Sequence, residues 1–190
     1  MKRFALPAAL AALSVALPAL AQPETFNVDP RHTLPTYEVS HLGYSMQRGR
    51  FNKAGGKIVL DEAGHKCSAD IVIDSASVSS GIDKLDEHLR SEDFFNAAKF
   101  PNITFKSTDC TFDGPKVKSA RGDLTMNGIT RPVVLTANVF NCGPHPMTKQ
   151  RQCGADFETT VKRSEFGMKY ALPALGDEVK LRIGVEALKE

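Results

Sequence analysis

Apolar and polar residues take turns over much of this chain, and that rhythm restricts the fold more than any other feature. Val179, Leu181, Ile183, Val185 and Ala187 alternate with Lys180, Arg182, Gly184 and Glu186. A period of two puts one face of a β-strand in a core and the other in water. Cys67, Ala69, Ile71 and Ile73 alternate in the same way with Ser68, Asp70, Val72 and Asp74, and Ile103 and Phe105 with Thr104 and Lys106. Ala120, Gly122, Leu124 and Met126 follow, set between Arg121, Asp123 and Thr125. Asn127-Gly128 tolerates the positive φ of a two-residue hairpin turn and leads through Pro132 into a strand from Val133 to Phe140. Ala155, Phe157, Thr159 and Val161 share a face of the strand Cys153 to Val161, expected to pair with its predecessor across a loop carrying Gly143, Pro144 and Pro146. About eight strands with one apolar face each must close on themselves or fold into a sandwich to hide their edges, and a closed antiparallel barrel is expected.

One stretch breaks the rhythm. Ile82, Leu85 and Leu89 fall at helical spacing after Ser79-Ser80-Gly81, and Ser91 is placed to cap a second turn through Phe94 and Phe95 before Pro101. One or two short helices are expected around residues 82–99. Arg163 to Gly167 suggests a short turn or helical corner.

The first residues have a different character. Lys2 and Arg3 precede an uncharged apolar run from Phe4 to Leu20, and Ala19-Leu20-Ala21 suits signal peptidase, so residues 1–21 are expected to be a signal peptide cleaved after Ala21. Residues 22–190 then form a single domain in the periplasm, with no span across the membrane. The chain carries 24 Lys and Arg against 22 Asp and Glu. Losing Lys2 and Arg3 balances the two, which gives no electrostatic case for nucleic acid or an anionic membrane. Export also permits thiols to oxidise, so Cys142–Cys153 and Cys67–Cys110 are the expected disulfides. The second pairing meets an objection: Cys67 lies on the apolar face of its strand, whereas Cys110 falls opposite Phe105 unless a β-bulge intervenes.

Several ordered motifs bear a family likeness. Val28-Asp29-Pro30-Arg31-His32-Thr33, Val39-Ser40-His41-Leu42-Gly43 and Arg48-Gly49-Arg50-Phe51 open the series. Asp86 to Phe95 (DEHLRSEDFF), Phe100 to Phe105 (FPNITF), Gly122 to Thr130 (GDLTMNGIT) and Lys162 to Met168 (KRSEFGM) continue it. Together they resemble the YceI family across nearly all of residues 22–190. The resemblance implies a lipocalin-like antiparallel β-barrel with an elongated apolar cavity for a long isoprenoid chain, such as a polyprenyl phosphate or quinone. It also implies an occasional association with membrane b-type cytochromes. Leu85, at a position often basic in relatives, and the four cysteines depart from the family pattern.

Strand parity selects Ile71, Ile73, Ile103, Phe105, Leu124, Met126, Leu135, Phe157, Leu181 and Ile183 as inward-facing, with Leu85, Leu89, Phe94 and Phe95 at one end. Parity leaves open whether they line a cavity or fill a core. Arg48, His88 and Arg90 are candidates for a lipid head group, although Arg90 also stands four residues after Asp86, the spacing of a solvated helix ion pair. His32, His41, His65, His88 and His145 show no metal-ligand spacing, and neither a nucleophile elbow nor a phosphate loop occurs. The expected function is a periplasmic carrier or scavenger of an isoprenoid lipid, with no metal and no other cofactor. An accessory role beside a b-type cytochrome, or an enzyme using His32, His41 or His88 as base, are the alternatives.

Overall fold

The computed structural model describes residues 22–190, and the expected leader, residues 1–21, lies outside them. Among the described residues the chain forms β1 (Glu24–Val28), β2 (Thr36–His41), β3 (Ser45–Phe51), β4 (Ala54–Asp61), β5 (Lys66–Asp74) and β6 (Val78–Ser79). The helix α1 (Asp83–Arg90) follows, then β7 (Asn102–Asp113), β8 (Lys116–Met126), β9 (Ile129–Pro144), β10 (Arg151–Lys162) and β11 (Leu175–Lys189).

The first six of these are three long strands, each broken once. β1 and β2 lie one after the other along the same edge of β11, which pairs with β1 through Ala187–Lys189 and with β2 through Leu175 and Val179–Arg182. β3 and β4 in turn pair with β2 and β1, and β6 and β5 with β3 and β4. Every partnership is antiparallel and runs to the next strand in the chain, and the β1–β11 pairing closes the series. The result is the expected closed barrel of eight antiparallel strands.

Closure depends on the break between β1 and β2. There the chain leaves β11, and the gap is clasped by Thr33, whose hydroxyl donates to the Glu186 carbonyl (3.3 Å) and accepts from the Glu186 N–H (3.1 Å). The Asp29 N–H donates to the same carbonyl at 2.8 Å. Asp29 itself accepts from the Arg31 N–H at 3.0 Å and bonds His32 Nδ1 at 2.8 Å. These bonds hold its carboxyl down at about 2, the Arg31 N–H first and His32 next.

At one end of the barrel, which we call the floor, three strands change parity. β7 has an extra residue between Ser107 and Asp109, β8 one between Val117 and Ser119, and β9 one between Ala137 and Val139. A bulge of this kind turns every later side chain to the other face. Ile103 and Phe105 face the interior before the slip in β7, and Cys110 and Phe112 face it afterwards, packed with Cys67, Phe26, Leu60 and Val117. The parity objection to Cys67–Cys110 is thereby removed, and the two are joined with Cα atoms 5.8 Å apart. Cys142 and Cys153 face each other directly across β9 and β10 and form the second disulfide, Cα–Cα 4.1 Å.

The expected helical region differs from its forecast in extent. α1 ends at Arg90, because the Ser91 N–H and hydroxyl both turn back to the His88 carbonyl (3.0 and 2.7 Å). Residues 91–99 then follow as turns, with Asn96 at φ 43°. The second turn expected through Phe94 and Phe95 is not helical, yet its apolar residues are still buried: Leu89, Phe94 and Phe95 lie in one cluster with Phe51 and Met126. Asp86 fixes the entry of α1, its carboxylate accepting from the Ser80 N–H and hydroxyl, both at 2.6 Å. At the same end, Asn127 and Gly128 hold positive φ (51° and 72°) in the turn joining β8 to β9, and Asn127 Nδ2 donates to the Phe94 carbonyl at 2.6 Å.

Two predictions follow from these linkages. The disulfides close segments of 43 and 11 residues, so loop entropy makes Cys67→Ala/Cys110→Ala the costlier pair, at about 4 kcal/mol against about 3 for Cys142→Ala/Cys153→Ala, measured by urea unfolding. Asp29→Asn lowers stability at pH 7 by about 1 kcal/mol. A carboxylate whose folded pKa lies below its ordinary 3.8 stabilises at pH values above that figure and loses the contribution as pH falls toward about 2, so parent and variant converge in acid.

Candidate ligand cavity

The barrel is hollow. Its bore encloses a cavity of about 590 Å³, within the range of small-molecule sites, with walls that are almost wholly aliphatic and aromatic. Two aromatic rings help keep it clear by lying against glycines: Tyr37 of β2 covers Gly49 of β3, and Phe105 of β7 covers Gly122 of β8, where a Cβ would strike the ring. Backbone hydrogen bonds around the closed sheet satisfy the strands, so the interior carries few polar groups that need partners.

Each aliphatic and aromatic residue selected by parity reaches this wall. Ile71 and Ile73 come from β5, Ile103 and Phe105 from β7, Leu124 and Met126 from β8, Leu135 from β9, Phe157 from β10, and Leu181 and Ile183 from β11. Leu85 and Leu89 of α1, with Phe94 and Phe95 from the following turns, line the end opposite the floor. Sequence reasoning missed others, among them Phe26, Tyr37, Val39, Phe51, Val117 and Phe140. Alternation alone misplaces Val117 and Phe140, which lie beyond bulges, and the short broken strands carrying Phe26, Tyr37, Val39 and Phe51 offer little periodicity.

The two ends are unlike. Wall residues at the floor, including Phe26, Leu60, Cys67, Val117, Cys153 and Ala187, are buried or half-buried. At the other end His41, Leu42, Gln47, Arg48, Tyr170, Ala171 and Ala174 line the cavity and are exposed, which makes this end the mouth.

Polar side chains gather at the mouth. Arg48, two-thirds exposed, lies 3.2 Å from Glu38. His88 bonds Asp93 through Nε2 at 2.8 Å, and its ring packs edge-on against Phe94 and Tyr170. Both belong to the wall. Arg90 does not: its guanidinium donates to the carbonyls of Ala76 (2.8 Å) and Val78 (3.2 Å), tying α1 to β6. The alternative pairing of Arg90 with Asp86 gives way as well, since Ser80 supplies Asp86's close hydrogen bonds. Burial opposes the charge on Asp86, but the Ser80 bonds and the nearby Arg90 charge outweigh it and hold the carboxyl below its ordinary value. Tyr37 lies deeper, its phenol pushed up to about 12 by burial and then by the charge of Asp86.

Arg163, unforeseen from the sequence, is a buried cation on the wall. Its guanidinium donates to the carbonyls of Gly176 (2.8 Å), Met168 (3.0 Å) and Leu175 (2.9 Å), which anchors the loop forming one side of the mouth. Asp177 opposes it. Burial works against that carboxylate too, but two bonds from Ser164, at 2.9 and 2.8 Å, and the charges of Arg163 and Lys162 keep its pKa below the ordinary value. Three other histidines serve local structure: His32 bonds Asp29, His65 stacks on Phe112, and His145 accepts from the N–H groups of Met147 and Thr148. Among the described residues no three His, Cys, Asp or Glu side chains converge as a metal site requires.

Known proteins share this architecture. Residues 26–187 match the family described as YceI-like domain. Protein YceI of Escherichia coli O6:H1 is 34% identical over 173 residues, which cover 90% of each chain. The crystal structure of the Campylobacter jejuni YceI protein superposes with a TM-score of 0.70 at 28% identity, covering 80% of this chain and 90% of that one. A polyisoprenoid binding domain from Saccharophagus degradans, implicated in plant cell wall breakdown, shares the fold with a TM-score of 0.64 at 14% identity, over 87% of this chain and 98% of its own. Sequence likeness along the whole barrel and the shared closed architecture agree, and the chain belongs to the YceI family.

Proposed function

We propose that this protein is a periplasmic carrier or scavenger that holds one long-chain isoprenoid lipid, a polyprenyl phosphate or a quinone, in the bore of the barrel. The observation that carries this reading is the shape and chemistry of the cavity: a tube of about 590 Å³ with a largely apolar wall, buried at the floor and with its exposed polar side chains at the mouth. An amphiphile has the same division. Moving an alkyl chain out of water is favourable by about 0.8 kcal/mol per CH₂, so a greasy bore binds it without polar chemistry. The resemblance to a polyisoprenoid binding domain supports the choice of chain.

In this arrangement the tail runs along Leu181, Ile183, Leu135 and Phe157 toward the floor, and the head group stays at the mouth beside Arg48 and His88. Arg90, occupied by the carbonyls of Ala76 and Val78, is withdrawn from the head-group set. Residues 1–21 would direct the chain to the periplasm, and among the described residues no helix is long and apolar enough to cross a membrane. A quinone cargo would give a membrane b-type cytochrome reason to be a partner. Carriage ranks above the accessory and enzymatic readings because the tube is a storage geometry and the polar groups sit around its opening.

Calorimetric titration with polyprenyl phosphate and with the uncharged prenol of equal length tests the assignment. Ile183→Glu puts a charge in the bore and should abolish binding of both, while the fold is checked by circular dichroism. Arg48→Ala/His88→Ala should weaken the phosphate by about tenfold and leave the prenol almost unchanged, since only the phosphate takes charge-assisted hydrogen bonds. Unchanged affinity of Ile183→Glu for both lipids would place the ligand outside the barrel.

A further inference from the structure

The bore ends at its two disulfides. Cys67 and Cys153 belong to the cavity wall, while their partners Cys110 and Cys142 lie beyond it, in one packed layer with Phe112. Each bridge therefore straddles the closed end of the cavity. Phe26, Leu60, Val117 and Ala187, all buried, complete the layer. On its outer side the exposed His65 ring stacks on Phe112, with centroids 5.3 Å apart.

This layer is fastened from strand to strand. Cys67–Cys110 joins β5 to β7, and Cys142–Cys153 joins β9 to β10. From the start of β10, Arg151 reaches past β11 to Glu24 of β1 (2.7 Å) and to Glu62 in the β4–β5 turn (2.8 Å). Strands tied in this way resist splaying, and a close-packed layer offers an arriving methylene no free volume. Val117 is the member of the layer best placed to meet a tail: it is on the wall, turned inward by the bulge between it and Ser119, and takes no part in the ties.

We infer that the braced floor is a length stop, with Val117 as the side chain that the last isoprene unit of a fully inserted tail meets. The inference rests on the carrier reading and sharpens it: the mouth selects the head group, and the floor selects the length of tail. Each unit that enters the bore leaves water and gains affinity. Once the tail touches the floor, a further unit stays at the mouth in water and adds nothing.

Displacement of a bound fluorescent prenol by uncharged prenols of graded length tests the stop. On the parent, affinity should climb by about tenfold or more with each added isoprene unit and then level off. Val117→Phe, which thickens the layer, should bring the levelling forward by about one unit, costing the longest fitted prenol about tenfold in affinity and the shorter ones nothing. Val117→Ala should act in the opposite direction, giving the first prenol past the limit a gain of about fourfold, so the two variants together separate a moved stop from a damaged fold. Leu42→Ser at the mouth should leave the levelling point unchanged. Three results would overturn the stop while the carrier reading stands: a parent profile that climbs without levelling, Val117 variants that leave the levelling point where it was, or a Val117→Phe loss equal at every length. Failure of every prenol to bind the parent would instead remove the carrier reading and the stop together.

Discussion

Everything in this protein depends on the last strand finding the first. β11 offers a single long edge, and β1 and β2 divide it between them, with Thr33 and Asp29 fastening the interval to Glu186. Once that seam is closed the sheet runs round on itself, and among the described strands one-sided pairing is confined to the short β6 and to the part of β3 nearest its hairpin with β2. Closure also explains why the inside can remain empty. Inter-strand hydrogen bonds hold the cylinder together, so its inward side chains can form a wall without having to meet at the axis.

A hollow cylinder with two equal ends would be a pore. Here the ends are made different by where the chain spends its irregularities. Bulges in β7, β8 and β9 turn Cys110, Phe112, Val117, Phe140 and Cys142 inward at the floor, where two cross-strand disulfides and Phe26 are packed with them. At the opposite end α1 and its following turns cover part of the bore, and the polar residues that remain stand around an opening bounded by the β2–β3 hairpin and the loop before β11. Buried Arg163 holds that loop by three carbonyls, so the rim is a built edge.

How much of this could be seen in the sequence varied with the regularity of the strand. Leu181 and Ile183 announce their facing because β11 alternates without interruption around them. Cys110 defeats simple alternation, since the inserted residue that reverses its side is an ordinary Thr108 with nothing in its chemistry to mark a bulge. β3, with Gly49 where a wall residue would stand, shows no alternation until Tyr37 is found lying over it, and the family motifs alone pointed to that region. Helical spacing from Ile82 to Leu89 gave the position of α1 correctly. The burial of Phe94 and Phe95 arises from turns that follow, which no periodicity describes. Arg90 illustrates a different limit: its carbonyl partners on Ala76 and Val78 become neighbours only after β6 is in place.

The central claim is that the bore exists to hold an isoprenoid chain. Its most direct test is organic extraction and mass spectrometry of the protein purified without detergent from its own cells. The account predicts close to one polyprenyl phosphate or quinone molecule for each chain. Recovery of an empty barrel that takes up no added isoprenoid, or of a stoichiometric ligand without a long apolar tail, would contradict it.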